Sequence, residues 1–153
     1  MKSLQFSTTY TTLLLAVLFI GASCQLQPKK NVANTNAVAI ATDTAKYTAI
    51  EWLDSIKNLG VLTKGDKAEI RFRFRNSGNK PLFIISAQPG CGCTIADYPR
   101  EAIAPGEEGT IIAGFNTENQ YEGDFNKSIL VTTNTLGKQS FDLIFTGQIK
   151  AKQ

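Results

Sequence analysis

The sequence predicts an all-β fold of two stacked antiparallel sheets, and three observations carry that expectation. Residues 67–76 alternate strictly, with Ala68, Ile70, Phe72 and Phe74 against Glu69, Arg71, Arg73 and Arg75, and period two is the signature of a half-buried strand. Turn residues recur after residue 48, as Lys64-Gly65-Asp66, Asn76-Ser77-Gly78-Asn79-Lys80-Pro81, Ala104-Pro105-Gly106 and Asn134 to Gly137, at the spacing of a multi-stranded β domain. No segment between them has a convincing helical period.

Each strand follows from its own pattern. Ala49 to Leu53 is the first, with Ile50 and Trp52 out of phase with Glu51; Trp52 is expected in the core. Ile56 to Leu62 follows, then the alternating strand Lys67 to Asn76. Leu82 to Ala87 is an apolar run suited to a central strand. Gly109 to Phe115 leaves the Pro-Gly turn, and Phe125 to Thr133 places Ile129 and Val131 on one face. Phe141, Leu143 and Phe145 alternate before Gly147, which is read as a break ahead of a last piece, Gln148 to Ala151. The result is an immunoglobulin-like antiparallel β-sandwich of about seven strands.

Ahead of the domain lie two other segments. In residues 1–24, Lys2 precedes a polar run and an apolar stretch from Leu13 to Ile20, ending in Gly21-Ala22-Ser23-Cys24. A stretch of about ten residues is half of a bilayer span and fits the apolar region of a secretory signal. Small residues before a cysteine resemble the lipobox of bacterial lipoproteins, which makes Cys24 the expected lipidation site and new N-terminus. Gly21 stands where that pattern prefers a branched aliphatic residue. Ordinary signal-peptidase cleavage after Ser23 also suits these small residues, but the cysteine count favours lipidation: of three cysteines, acylating Cys24 leaves Cys91 and Cys93 as an even pair. Residues 25–46 are rich in Asn, Ala, Thr, Lys and Gln and lack the apolar surface needed to offset ordering entropy. The expected organisation is therefore a signal peptide at 1–23, a flexible tether at 24–47 and the β domain at 48–153. It describes a protein exported to a bacterial envelope and anchored by lipid facing the periplasm.

Composition narrows the chemistry. The chain has no histidine, which removes the usual general base and the commonest metal ligand. Phosphate-cradling glycine motifs are absent from the sequence. A net charge of +3 with interspersed signs does not predict nucleic-acid binding. No cofactor and no catalytic residue is expected, and the adjacent Glu107 and Glu108 cannot act as an acid/base pair because neighbouring strand residues face opposite ways.

Two features remain as candidate sites. Arg71, Arg73 and Arg75 form an outward stripe spaced about 7 Å apart, read either as an anion-facing surface or as the solvated face of a sheet with acidic neighbours. Cys91-Gly92-Cys93 admits four readings: a structural disulfide closed through Gly92, buried thiols, a redox pair, or a soft-metal clamp for Cu(I). Cysteines in exported domains most often serve structure. The metal reading lacks further ligands, since the single methionine is Met1 and the nearest carboxylate is Asp97.

The run from Trp52 to Ile149 resembles the bacterial family called domain of unknown function 1573. Its carrying motifs are Phe72-Arg73-Phe74-Arg75-Asn76-Ser77-Gly78 with Pro81-Leu82, Cys91-Gly92-Cys93-Thr94, Ile103-Ala104-Pro105-Gly106-Glu107, and Val131-Thr132-Thr133-Asn134 with Gly147. The resemblance implies an exported lipoprotein, commonly from Bacteroidetes, with an immunoglobulin-like sandwich. Its partners are then the membrane and other envelope proteins.

Overall fold

The computed structural model describes residues 43–152. The expected signal peptide, Cys24 and the tether up to residue 42 lie outside the described residues. Eight strands follow: β1 (Ile50–Trp52), β2 (Ile56–Thr63), β3 (Lys67–Asn76), β4 (Ile84–Pro89), β5 (Thr94–Asp97), β6 (Glu108–Asn116), β7 (Gly123–Thr133) and β8 (Ser140–Lys150). They form two four-stranded sheets, ordered β1-β3-β6-β5 and β2-β8-β7-β4.

Alternation places the core. Ile70, Phe72 and Phe74 of β3 and Ile111, Ala113 and Phe115 of β6 point inward from one sheet, facing Ile129, Val131, Leu143 and Phe145 of the other, and all are buried. Each large side chain removed from water in this way contributes about 1.5–3 kcal/mol. Phe115 meets Phe145 edge-on with ring centroids 5.2 Å apart. Trp52 is half-buried and closes one end against Phe74 and Phe141, at 5.4 and 5.7 Å.

Two buried asparagines tie the strand ends together. The Asn76 amide donates to the carbonyls of Lys80 and Ile103, both at 2.8 Å, while its oxygen accepts from the Thr48 hydroxyl and the Gly78 amide, both at 3.1 Å. Asn134 donates to the carbonyls of Lys46 and Pro81, both at 3.0 Å, and accepts from the Phe83 amide at 2.7 Å. Both are fully buried, and each satisfies backbone groups that turn residues would otherwise leave unpaired.

Four differences from the sequence reading have physical causes. First, β5 is an additional strand, only four residues long and too short to show a period. Second, β2 pairs with β8 in parallel, whereas the other strand pairs are antiparallel; strand direction is set by tertiary connection and leaves no local trace. Third, Gly147 does not break β8, which runs through it. A Cβ there would lie 2.7 Å from both the Gly60 carbonyl oxygen and the Phe125 ring, so glycine permits β2 to approach. Fourth, residues 43–47, assigned to the tether, sit on the domain. Asp43 caps a 3-10 turn at Thr44–Lys46, the Lys80 amine donates to the Ala45 carbonyl at 2.5 Å, and the Tyr47 hydroxyl accepts from the Gln139 side chain at 2.6 Å.

Candidate functional site

Residues 90–93 carry the chain from β4 to β5, the edge strands of opposite sheets. Backbone bonds hold the turn at both ends: Gly90 N–H donates to the Ser128 carbonyl at 2.9 Å, and the Cys93 carbonyl accepts from Asn116 N–H at 3.0 Å. Within it Cys91 and Cys93 are joined as a disulfide, with Cα atoms 5.3 Å apart, inside the roughly 4.4–6.8 Å range of such bonds. The bond displaces the buried-thiol reading. It also occupies both sulfurs that a Cu(I) clamp would need as free thiolates. Among the described residues there is no cluster of three potential metal ligands.

So short a covalent loop restricts the unfolded chain little, by about 1.5 kcal/mol on the chain-entropy estimate. The backbone bonds pin the turn without it. Beside the sulfurs lies the last residue of the Cys91-Gly92-Cys93-Thr94 motif, the buried Thr94, to which the sequence assigns no chemical role. Its hydroxyl oxygen is 3.5 Å from Cys91 Sγ and 3.8 Å from Cys93 Sγ.

The turn also borders a groove of about 490 Å³ beside β3, β5 and β6, to which Ala68, Phe115 and Asn119 also contribute. Gly92 and Gly114 contribute no side chain to it, and a Cβ at either would meet nothing within 4 Å. Cys93, Lys67, Ile95, Asn116 and Gln120 line its sides. These residues come from three strands and two loops, which is why no contiguous motif announces them.

The arginine stripe is answered on its own sheet. Arg71 Nη2 lies 2.6 Å from Glu69, Arg73 Nε 2.7 Å from Asp54, and Arg75 Nη2 2.8 Å from Glu108 with Glu51 at 3.7 Å from Nη1. These pairs lie on the solvated face, where each contributes little to stability. Glu107 is likewise committed, accepting from Ala104 N–H at 3.2 Å across the Pro-Gly turn.

Asp54 is the partner that electrostatics affects most. Hydrogen bonds from Lys57 and then Arg73 lower its carboxyl from 3.8 to about 2. A carboxyl depressed in the folded state stabilises the fold fully above its unfolded value, and that contribution disappears as pH falls through the folded value. Because solvent screens this exposed pair, urea titrations should show only a small part of the stability loss between pH 3.8 and about 2 arising here, seen as a slightly shallower decline in Asp54→Asn. An identical acid limb in the variant would contradict this assignment.

Comparison with known proteins agrees with the sandwich and its motifs. Residues 50–149 match the family described as Protein of unknown function (DUF1573). The chain belongs to this family. Its motif asparagines, Asn76 and Asn134, are the two buried ties, and its Cys-Gly-Cys-Thr motif is the disulfide turn with the threonine beside it. Among solved structures, a protein of unknown function from Porphyromonas gingivalis W83 superposes with a TM-score of 0.61 at 16% identity. That match covers 69% of this chain and spans about half, 49%, of the other. The seventh PapD-like domain of human CEP192 superposes at 0.54 with 13% identity, covering 71% of this chain and 89% of that one. The secreted serine protease VesC from Vibrio cholerae does so at 0.51 with 12% identity, covering 67% and 23%. At these identities the likeness is one of fold. No curated protein matches the chain significantly.

Proposed function

We propose that the chain is a non-enzymatic, lipid-anchored envelope protein whose immunoglobulin-like domain faces the periplasm and binds or spaces other envelope proteins. One observation carries the anchor. Cys91 and Cys93 are bonded to each other, so Cys24, the remaining cysteine of three, follows Gly21-Ala22-Ser23 with no cysteine left in the chain to pair with it. An unpaired thiol is out of place in an oxidising compartment, whereas an acylated one is not. The binding role draws support from a sandwich whose conspicuous arginine stripe is met by carboxylates of its own domain, so that the stripe does not single out an anionic ligand.

Fractionating the native envelope tests the anchor. The unmodified protein should pellet with membranes and resist extraction by high salt. Cys24→Ser should move most of it to the soluble fraction. If the variant pellets as the parent does, the anchor is not at Cys24.

A further inference from the structure

We propose that Cys91–Cys93 is a thiol–disulfide exchange site, attacked at Cys93 from the neighbouring groove by a thiolate of an extended, cysteine-bearing polypeptide. The proposal does not rest on the anchor. Cys93 lines the groove, and Cys91 does not. Cys91 Sγ is the sulfur closer to the Thr94 hydroxyl, at 3.5 against 3.8 Å. Cys93, which borders the groove and also packs against the core, is assigned as the attacked side, and Cys91, whose sulfur is the nearer to the Thr94 hydroxyl, as the leaving side.

The fold tolerates the opening of this bond. The turn is fixed by Gly90 to Ser128 and by Asn116 to Cys93 backbone hydrogen bonds, which exchange leaves intact. The open space over Gly92 and Gly114 lets an incoming backbone approach closely. The Asn116 side chain, whose oxygen already accepts from Glu118 N–H at 3.0 Å, offers its amide donor, the Gln120 carboxamide offers donor and acceptor to a peptide group, and Ile95, 77% exposed, supplies an apolar wall. The volume of about 490 Å³ is that of a ligand site.

The chemistry balances as a two-electron transfer. A partner thiolate bonds to Cys93 Sγ as the Cys91–Cys93 bond breaks. The electron pair of that bond leaves on Cys91 Sγ, which accepts a hydrogen bond from the Thr94 hydroxyl. A second partner thiolate then attacks the partner sulfur of the mixed disulfide and releases the Cys93 thiolate. The partner dithiol loses two electrons and two protons to become a disulfide, and Cys91 and Cys93 gain both to become a dithiol. Thr94 acts through Cys91 as a positioning residue.

The test uses the full chain carrying Cys24→Ser, so that only Cys91 and Cys93 react. The probes are an unstructured peptide with one cysteine, the same peptide with two, and reduced glutathione. Acid quenching and mass mapping of the single-cysteine reaction should place the mixed disulfide on Cys93. The two-cysteine peptide should reduce the pair faster than glutathione at equal thiol. Thr94→Val should slow that reduction about tenfold or more, as loss of a hydrogen bond to a charged group implies, and Thr94→Ser should restore it. A mixed disulfide mapping to Cys91, or unchanged rates in Thr94→Val, overturns the proposal on the unsubstituted sulfurs and on the hydroxyl independently. Glutathione reacting as fast as the peptide overturns the polypeptide assignment.

Discussion

Asn76→Ala is expected to destabilise the domain by about 3 kcal/mol, because it removes four hydrogen bonds made by one fully buried side chain. The Lys80 carbonyl loses its side-chain donor, the Ile103 carbonyl keeps only its bond from Leu82 N–H, and the Gly78 amide and Thr48 hydroxyl lose the Asn76 acceptor. The lost bonds link three segments far apart in sequence, the entry at Thr48, the β3–β4 connection and the stretch before β6, which are then held by backbone bonds such as the Leu82–Ile103 pair and Ser77 N–H to the Ala49 carbonyl. Asn76→Asp should do at least as much harm at neutral pH, since a buried carboxylate would face two carbonyl oxygens. Thr48→Val removes one bond of the four and should cost about 1 kcal/mol. Urea midpoints for the three variants check the series. A loss below about 1 kcal/mol in Asn76→Ala would mean that water satisfies these groups and the tie is not structural.

The second large effect is expected at Gly147. Gly147→Ala sets a methyl group 2.7 Å from the Gly60 carbonyl oxygen and equally near the Phe125 ring. A backbone carbonyl within a sheet cannot step aside as a flexible side chain would. β2 must separate from β8, or β8 must shift against β7, at a cost of about 2–3 kcal/mol. Gly114→Ala is the matching control on the opposite sheet, because nothing lies within 4 Å of its Cβ. It should leave stability unchanged or slightly raised, since alanine restricts the unfolded chain. Thermal unfolding of the pair distinguishes close approach from a general intolerance of alanine in strands.

These two residues mark how far the sequence could be read. Alternation in β3 and β8 was visible because a sheet with one wet face writes its burial directly into period two. The inward set of Phe72, Phe74, Leu143 and Phe145 is where that pattern puts it. Gly147 was visible as a glycine, yet its cause is the approach of β2, a strand about ninety residues earlier whose parallel pairing has no local signal. The asparagines stood out as parts of a motif, but their role depends on carbonyls contributed by three turns. At the cysteine turn, spacing allowed four chemistries. The Cys91–Cys93 bond, with Cα atoms 5.3 Å apart, narrows them to a disulfide that is either structural or exchangeable. The groove beside it was hidden because its lining residues meet only in the folded sheet.

The arginine stripe teaches the converse. Arg71, Arg73 and Arg75 are conspicuous in sequence, and the anion-facing reading follows naturally from them alone. Their carboxylate partners lie two residues away for Arg71, but in β1, the β1–β2 turn and β6 for the others. Only the register of β3 with its neighbours brings opposite charges together.

Intact-mass analysis of the protein taken from its own envelope tests the account most directly. The predicted result is a chain beginning at Cys24, heavier than residues 24–153 by its acyl groups, with Cys91 and Cys93 linked to each other. A chain that retains residues before Cys24, or one in which Cys24 is bonded to Cys91 or Cys93, would contradict it.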